Sequence, residues 1–290
     1  MTPPNSGGYD PRHYQGLFAV EDRHFWFRGR NRIVAAFAAK YTGQLAPGFY
    51  VLEAGCGNGS VTRVLQDTCV KGNVIGADLF FEGLVNARDR GVKMVVQADM
   101  SRFPFGFGFS LAGMFDVLEH IPDDCGALRS VFNALSPGGR LLLSVPAHLS
   151  LWSYFDEVSC HCRRYELEGL RSKCQDAGFQ IEYATEFMSF LYPLMKTQRR
   201  WKDFVRKRTG KNIEETAKDD LSINPLMNAV LDRVGRAETF LIGRGVRLPF
   251  GTSIFLVARK PLARASSLIS LRDMGVEGVR SQKPEGAAGD

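Results

Sequence analysis

Val51-Leu-Glu-Ala-Gly-Cys-Gly-Asn-Gly59 is the stretch that decides the fold of this chain. Its short apolar run leads into three glycines at alternate positions, which is typical of a strand that turns tightly and brings its backbone close to a ligand. Residues 60–66 predict a helix whose first N–H groups face the same ligand. The stretch therefore predicts the opening strand, turn and helix of a nucleotide-binding α/β unit.

The spacing of these glycines bears on the kind of ligand. A dinucleotide fingerprint has the pattern Gly-x-Gly-x-x-Gly, whereas Gly55, Gly57 and Gly59 lie two residues apart. Glu53 precedes them and could accept a hydrogen bond from an ammonium group of the ligand. The pattern disfavours a nicotinamide-dependent dehydrogenase, which is kept as an alternative.

Length and composition limit the classes of protein to which this chain can belong. A chain of 290 residues with 44% hydrophobic residues can bury a sizeable core. Without a run of about eighteen apolar residues or the apolar centre of a signal peptide, it is expected to be cytoplasmic. Its six cysteines are scattered, so we expect free thiols. Cys160-His161-Cys162 lacks a second ligand pair at zinc-site spacing, so we predict no zinc there.

Acidic residues follow three successive predicted strands. Asp78, Asp99 and Asp116 lie at or just after strand ends, and the carboxyl ends of parallel strands form the ligand crevice of an open α/β sheet. Asp78 comes nineteen residues after Gly59, about where a carboxylate would meet ribose hydroxyl groups. A carboxylate suits a diol because it offers paired acceptors.

Five motifs in order resemble the class I S-adenosylmethionine-dependent methyltransferases. They are Glu53-Ala-Gly-Cys-Gly-Asn-Gly59, Gly76-Ala-Asp-Leu79, Gln97-Ala-Asp-Met100, Phe115-Asp-Val-Leu-Glu-His-Ile-Pro122 and Leu135-Ser-Pro-Gly-Gly-Arg140. The resemblance covers residues 48–185 and the last strand. It implies S-adenosyl-L-methionine as the cofactor, with the glycines near its methionine part, Asp78 on the ribose, Leu79 on the adenine ring, and Asp99 with the Met100 backbone at the adenine edge. The expected cofactor-binding residues are Glu53, Gly55, Cys56, Gly57, Gly59, Asp78, Leu79, Asp99, Met100 and Asp116.

Strand patterns alternate with helix patterns along the chain, which favours right-handed parallel crossovers. We predict strands over 50–54, 73–78, 93–97, 111–116, 140–145, 180–185 and 253–258. The expected fold is a doubly wound, Rossmann-like α/β sheet of seven strands with an antiparallel last strand. One domain over 1–262 would comprise a helical N-terminal cap (1–47), a cofactor-binding core (48–185), a helical lid insertion (186–249) and the last strand (250–260), followed by a tail (263–290) whose end is expected to be disordered.

The aromatic run from His24 to Arg30 has two interpretations. It either packs as a cap on the core or places Trp26, Arg28 or Arg30 at the mouth of the ligand site, and both can hold. In the insertion, residues 225–241 carry apolar side chains at helical spacing, which predicts an amphipathic helix.

The loop over 146–165 and the insertion from 186 both leave carboxyl ends of strands, so we expect them to cover the crevice as a lid. The loop is dense in groups that hold an anion or remove a proton. Candidate substrate-binding residues are Trp152, Tyr154, Asp156, Arg164 and Tyr165, and candidate catalytic bases are His148 and His161. The alternative is that these residues cap, pack or remain solvated.

Asp116-x-x-Glu119-His120 is similar to the Glu-x-x-Glu-His run with which some O-methyltransferases bind magnesium. Its first position is Asp rather than Glu, and a common apolar-flanked version of the motif binds no metal. We therefore expect no metal.

The local charge excess points to an anionic partner. Of a net charge of +6, eight basic residues crowd into Lys196–Lys211, beside aromatic side chains that suit an anionic interface. We expect methyl transfer to a small-molecule or lipid-linked acceptor, with peripheral contact to an anionic membrane through this segment; nucleic acid is not favoured as a partner. The alternatives are an RNA methyltransferase and a non-catalytic cofactor-binding protein.

Overall fold

A computed structural model describes residues 13–100, 106, 108–197 and 223–262. Its strands are β1 (Tyr50–Ala54), β2 (Asn73–Asp78), β3 (Met94–Gln97), β4 (Phe109–Phe115), β5 (Leu135–Pro146), β6 (Gln180–Phe187) and β7 (Ser253–Arg259). They form one sheet in the order β3-β2-β1-β4-β5-β7-β6, in which only β7 is antiparallel to its neighbours. The predicted doubly wound sheet with an antiparallel last strand is confirmed.

The structure gives full bounds for eight α-helices beside these strands, and residues 192–197 are helical as well. The eight helices are α1 (His13–Val20), α2 (Phe25–Thr42), α3 (Ser60–Thr68), α4 (Phe81–Asp89), α5 (Asp124–Ala134), α6 (Tyr154–Val158), α7 (Leu167–Asp176) and α8 (Pro225–Gly243). Short 3-10 helices follow β4, β5 and β6, at Leu118–His120, Leu149–Leu151 and Ser189–Leu191. Each of these turns the chain directly at the carboxyl end of the sheet.

The sheet separates two hydrophobic cores. Alternate residues of β5 show this, because Leu141 belongs to the core beneath α5 and α7, and Leu142 to the core beneath α2 and α3. Val34 and Phe37 bury the apolar face of α2 in the second core. Each fully buried side chain of this size stabilises the fold by roughly 1.5–3 kcal/mol, so the N-terminal cap is an integral layer of the domain.

The strand interiors agree with the sequence prediction, and the ends differ. β4 begins at Phe109 and β5 at Leu135, because these two residues pair before a register shift in the ladder. β6 continues to Phe187 through its antiparallel pairing with Ser253. Hydrogen-bond partners on a neighbouring strand thus extended strands beyond the apolar runs that predicted them.

Helix α8 is confirmed, and most of its apolar side chains face outward, although Ile242 is buried in the second core and Leu231 packs against that core. Its buried residues include Asp232 and Glu238, whereas Leu226 and Val230 are 76% and 46% exposed. Asp232 pairs with arginines of α2, and Glu238 accepts hydrogen bonds from the backbone N–H groups of Met188 and Ser189 at 2.9 and 2.8 Å. These polar contacts dock α8 beside α2.

Some predicted features fall outside the described residues. They are residues 198–222, which hold most of the predicted basic segment, and the tail over 263–290. Within the part that is described, none of the helices combines the length and the apolar character needed to cross a membrane.

Candidate active site

The glycine turn after β1 has the backbone that its sequence predicts. Gly55, Gly57 and Gly59 have φ angles of 80°, 48° and 75°, which favour glycine over residues with a Cβ. A Cβ on Gly55 would lie 2.4 Å from a methyl group of Val117. The Gly55 N–H donates to the Ala77 carbonyl at 2.7 Å, so the turn is fixed to the end of β2.

Asp78 lies at that strand end, directly against the turn. Its Oδ2 accepts a hydrogen bond from the Gly57 N–H at 2.7 Å, and its Oδ1 accepts from the Phe80 N–H at 2.9 Å and the Tyr14 hydroxyl at 3.1 Å. Burial raises the pKa of Asp78, and these hydrogen bonds oppose the shift. The sequence therefore placed this carboxylate correctly beside the glycine turn.

Tyr14 is a site residue that sequence reasoning missed. It is buried, its carbonyl accepts a hydrogen bond from the Asn58 side chain at 2.9 Å, and its ring meets Phe80 edge-on with the centroids 6.2 Å apart. Helix α1 thus covers the glycine turn and engages one oxygen of Asp78. A tyrosine at helical spacing carries no signal that separates this role from ordinary packing.

Glu53 lies in the interior next to the turn. It accepts a hydrogen bond from the Thr62 hydroxyl. Burial raises the pKa of Glu53 to about 8, although the Thr62 hydrogen bond lowers it. Cys56 is also buried, and burial raises the pKa of its thiol, so Cys56 stays a neutral thiol that packs in the turn.

The predicted adenine contacts follow β2 and β3. The Ala98 N–H donates to the Asp78 carbonyl at 2.9 Å, which aligns the two strand ends. Beside them Leu79 is half-buried, Asp99 is exposed and Met100 is buried. Together with Glu53, these hydrogen-bond acceptors fit S-adenosylmethionine, since they offer a carboxylate for the diol, one for the adenine amine and a buried acid for the ammonium group.

Asp116, directly after β4, is held by the N-terminal cap. The Arg30 guanidinium donates to its Oδ2 at 2.6 Å, and the Ser144 hydroxyl donates to its Oδ1 at 3.3 Å. Asp116 has a φ of 58°, a left-handed backbone that is uncommon for residues other than glycine and clusters at functional sites. Arg30 also lies over the Trp26 ring, so the cap both packs on the core and reaches the crevice; the cofactor contact of Asp116 stays a prediction.

Four of the five predicted substrate-binding residues lie in the interior. Tyr154, Asp156 and Tyr165 are buried, as is the Arg164 side chain, and only Trp152 is half-buried. Their polar groups pair with protein partners: Arg164 Nε donates to Asp156 at 2.7 Å, and the Tyr165 hydroxyl donates to the Asp124 carboxylate at 3.0 Å. The structure thus assigns these four to the scaffold that shapes the loop after β5.

That scaffold fixes His161. Asp156 is fully buried, and its Oδ1 lies 2.8 Å from His161 Nδ1. Burial raises the pKa of Asp156, but hydrogen bonds from His161 and Arg164 bring it to about 2. The ionised carboxylate holds the imidazole in one orientation, with Nε2 directed away from Asp156.

His161 meets two residues of the 3-10 helix after β4. Its ring packs edge-on against His120 with the centroids 4.7 Å apart, and Glu119 lies beside both. Burial lowers the pKa of His120 to about 3, while burial and the charge of Asp116 raise the pKa of Glu119. The Asp-x-x-Glu-His run marked two members of this cluster, but His161, from a different loop, could be added only from the structure.

His148, the other predicted base, lies between two carboxylates. Nδ1 is 3.0 Å from Glu166 and Nε2 is 2.7 Å from Glu186. Because each ring nitrogen faces a protein carboxylate, this geometry gives His148 the role of a bridge from the loop to β6 and does not support it as the base.

The cysteines have no disulfide partners. All six are free thiols, as predicted. Cys160 Sγ lies 3.7 Å from the Val158 carbonyl and Cys162 Sγ 3.7 Å from the His120 carbonyl. Neither thiol joins His161 in a ligand cluster among the described residues.

The sheet order, the glycine turn and the strand-end carboxylates define the class I S-adenosylmethionine-dependent methyltransferase fold. Residues 19–184 match the Methyltransf_23 family, described as a methyltransferase domain. The chain belongs to this family, and S-adenosylmethionine is the cofactor of its class.

Relatives agree with this assignment over part of their length. A protein of Mycolicibacterium smegmatis named as a probable S-adenosylmethionine-dependent methyltransferase is 26% identical over 167 residues, which cover 56% of this chain and 62% of the relative. The ubiquinone/menaquinone biosynthesis C-methyltransferase UbiE of Vibrio vulnificus is 35% identical over 130 residues, which cover 40% of this chain and 49% of the relative.

A solved structure supports the fold alone. A chain from the complex of the Haloferax volcanii Trm112 methyltransferase activator with a methyltransferase superposes with a TM-score of 0.55 at 17% identity, covering 86% of this chain and 94% of that one.

Proposed function

We propose that this chain transfers a methyl group from S-adenosylmethionine to a lipid-linked or apolar small-molecule acceptor at a membrane surface. The observation that carries the proposal is the outward apolar face of α8. When bound, the cofactor supplies an electrophilic methyl group, and the protein's task is to orient the two reactants and exclude water. Asp78 and the glycine turn hold the cofactor, and the loops after β4 and β5 hold the acceptor.

The exposed face of α8 has the composition of a surface-bound amphipathic helix. Leu226, Val230 and Phe240 are exposed on it, and Phe240 is 56% exposed. Arg233 is exposed on the same helix and Arg244 is exposed directly after it, and the Arg244 guanidinium lies 3.4 Å from the Phe240 ring centroid. Apolar side chains bordered by arginines suit an anionic lipid surface. A helix in contact with water alone would have the opposite arrangement, with its polar residues outside.

A second apolar patch borders the carboxyl ends of β5 and β6. Leu149 and Phe250 are exposed there, and the Tyr192 ring lies 6.0 Å from that of Phe250 and 5.2 Å from His148. Lys196 lies over the Tyr192 ring at 5.4 Å. An apolar acceptor at this edge would find matching surface. The name of the Vibrio relative, which refers to ubiquinone and menaquinone, agrees with an acceptor of this kind.

Co-sedimentation with vesicles tests the membrane part. We expect the protein to sediment with anionic vesicles at low salt, less at high salt, and little with neutral vesicles. The triple variant Leu226→Ser, Val230→Ser, Phe240→Ser should lose most of this binding and remain folded, since the three side chains are exposed. The matched control is Val70→Ser with Phe81→Ser, which removes exposed apolar groups elsewhere. Equal, negligible binding of the wild type to both vesicle types would overturn the membrane part.

Label transfer tests the acceptor. The protein is incubated with S-adenosylmethionine labelled in the methyl group and with a total lipid extract or total RNA. We expect label in the organic phase of the lipid reaction. Label that enters RNA instead would replace this proposal by an RNA methyltransferase, and turnover with neither, despite cofactor binding, would favour a water-soluble acceptor or a non-catalytic protein.

A further inference from the structure

We propose that Glu119, His120 and His161 bind a divalent transition-metal ion, of the zinc or manganese class, at the carboxyl end of β4. Each residue offers one ligand atom, and these atoms lie within 4.8 Å of one another. Two ligands come from the 3-10 helix after β4 and the third from the loop after β5. Metal binding at this site does not depend on which acceptor is methylated.

The buried Glu119 carboxylate is a separate observation that points to a cation. Its side chain is 1% exposed, and neither oxygen has a hydrogen-bond partner among the described residues. Taking a carboxylate out of water costs several kcal/mol unless a charge or hydrogen bonds compensate. The negative Asp116 nearby adds to this cost, and a cation between Glu119 and the two imidazoles would offset it.

The surroundings of both histidines suit metal ligation. Asp156 engages His161 Nδ1 at 2.8 Å, which fixes the tautomer that leaves Nε2 for an ion. Arg164 and the Ser153 N–H in turn hold Asp156, at 2.7 and 2.8 Å. A carboxylate behind the histidine is the usual support of a metal-bound imidazole. Hydrogen bonds to backbone groups of Ser159 and Cys160 orient His120.

The ligand chemistry selects the class of ion. Two imidazoles and one carboxylate suit zinc, manganese, iron or cobalt, whereas magnesium prefers oxygen ligands and retains water. Ligand atoms about 2.1 Å from an ion lie about 3.4 Å apart in a tetrahedral site, so side-chain rotation must bring the three ligand atoms closer together than the 4.8 Å within which they lie. Three protein ligands leave coordination positions for water or an acceptor oxygen.

Two other ligand sets are less suitable. Asp116, the first acidic residue of the Asp-x-x-Glu-His run, already pairs with Arg30 and Ser144. The thiols of Cys160 and Cys162 face backbone carbonyls. The expectation of no metal weighed the Asp116–His120 run and the Cys160–Cys162 run separately, and the structure brings His161 of the second run beside Glu119 and His120 of the first.

Metal titration of the full chain tests the site. After dialysis against a chelator, Zn²⁺, Mn²⁺ and Mg²⁺ are titrated separately by calorimetry, and bound metal is measured by mass spectrometry. We expect one Zn²⁺ or Mn²⁺ per chain and far weaker Mg²⁺ binding. His161→Gln and Glu119→Gln should each weaken binding at least tenfold, and Asp156→Asn should weaken it by about 10- to 100-fold.

Matched controls separate this site from a cysteine site and from misfolding. Cys160→Ala and Cys162→Ser should keep the wild-type affinity, and the cobalt-loaded protein should lack the charge-transfer absorption of a thiolate ligand. The wild-type melting temperature should rise with Zn²⁺, whereas that of Glu119→Gln should not change. An unchanged affinity in His161→Gln, loss of binding in Cys162→Ser, or no bound transition metal in the wild type would each overturn the proposal. The titrations are run without cofactor, so their outcome is separable from that of the methyl-transfer assay.

Discussion

The two halves of the sheet's carboxyl edge use buried carboxylates in opposite ways. In the cofactor half, after β1 to β3, Asp78 lies at the glycine turn where a ligand would sit. In the acceptor half, after β4 to β6, Asp156 is fully buried and forms hydrogen bonds with Arg164 and His161. Asp78 is expected to serve the cofactor and is held by two backbone N–H groups and the neutral Tyr14 hydroxyl, whereas a guanidinium and an imidazole of the protein pair with Asp156. The difference is whether the protein itself supplies a charged partner for the carboxylate.

Arg164→Met in the acceptor half should cause the largest loss of stability. It removes the buried cation from Asp156 and leaves a charge in the interior, which costs about 3–5 kcal/mol of unfolding free energy. Urea denaturation measures the loss. The affinity of the remaining folded protein for S-adenosylmethionine should not change, because the cofactor half is intact.

An exposed ion pair provides the control. Arg63 pairs with Asp67 at 3.1 Å on the surface of α3, and Arg63→Met should cost under about 0.5 kcal/mol. A loss below about 1 kcal/mol for Arg164→Met would contradict the structural role of the Asp156 cluster.

Asp78→Ala should show the reverse pattern. The variant loses the paired acceptor and its hydrogen bonds from Gly57, Phe80 and Tyr14 but no core packing. It should therefore fold and bind S-adenosylmethionine about 30- to 150-fold more weakly, or about 2–3 kcal/mol. Calorimetry gives the affinity and thermal melting the fold. Undiminished affinity would show that the cofactor lies elsewhere.

Tyr14→Phe is the matched variant for this site. It removes the hydrogen bond from Tyr14 to Asp78 but keeps the carboxylate. A comparison with Asp78→Ala therefore separates the effect of the contact with α1 from the effect of the carboxylate on cofactor binding. If the hydroxyl competes with the ribose, affinity should stay equal or rise, by up to about tenfold for one hydrogen bond. A tenfold fall would instead show that Tyr14 itself contacts the cofactor.

The positions of the glycine turn and of Asp78 were predictable because each depends on the strand directly before it in the sequence. The left-handed turn requires glycine at Gly55, and Asp78 is the last residue of its strand, so spacing along the chain was enough to place them. The doubly wound sheet of seven strands also followed from the alternation of strands and helices, together with the family resemblance for its antiparallel last strand.

The acceptor half was less predictable because its contacts join distant segments. Arg30 reaches Asp116 across 86 positions, and His161 joins Glu119 and His120 from another loop. The many charged and aromatic residues of the loop after β5 suggested that it binds substrate. Whether Arg164 contacts a ligand or Asp156, however, depends on packing. For α8 the apolar spacing was visible, whereas the direction of its apolar face was set by the arginines of α2.

The protonation of Glu53 gives the cofactor half a testable pH dependence. Burial holds the pKa of Glu53 at about 8, against 4.5 for an ordinary glutamate. In the unfolded chain this carboxyl ionises near 4.5, so between these values the unfolded state binds fewer protons. Stability should therefore fall as pH rises from about 5 to 8, and Glu53→Gln should remove this part of the slope.

Cofactor binding should respond to Glu53 in the opposite direction. An ammonium group beside Glu53 favours the ionised carboxylate, so binding of S-adenosylmethionine should release a proton and strengthen by up to about tenfold per pH unit, or about 1.4 kcal/mol, between pH 6 and 7.5. Calorimetry in two buffers of different ionisation enthalpy counts the released proton. Glu53→Gln should bind with an affinity independent of pH over this range. If the wild type releases no proton, Glu53 stays protonated beneath the glycine turn when the cofactor binds. The ammonium group must then pair with another carboxylate of the crevice.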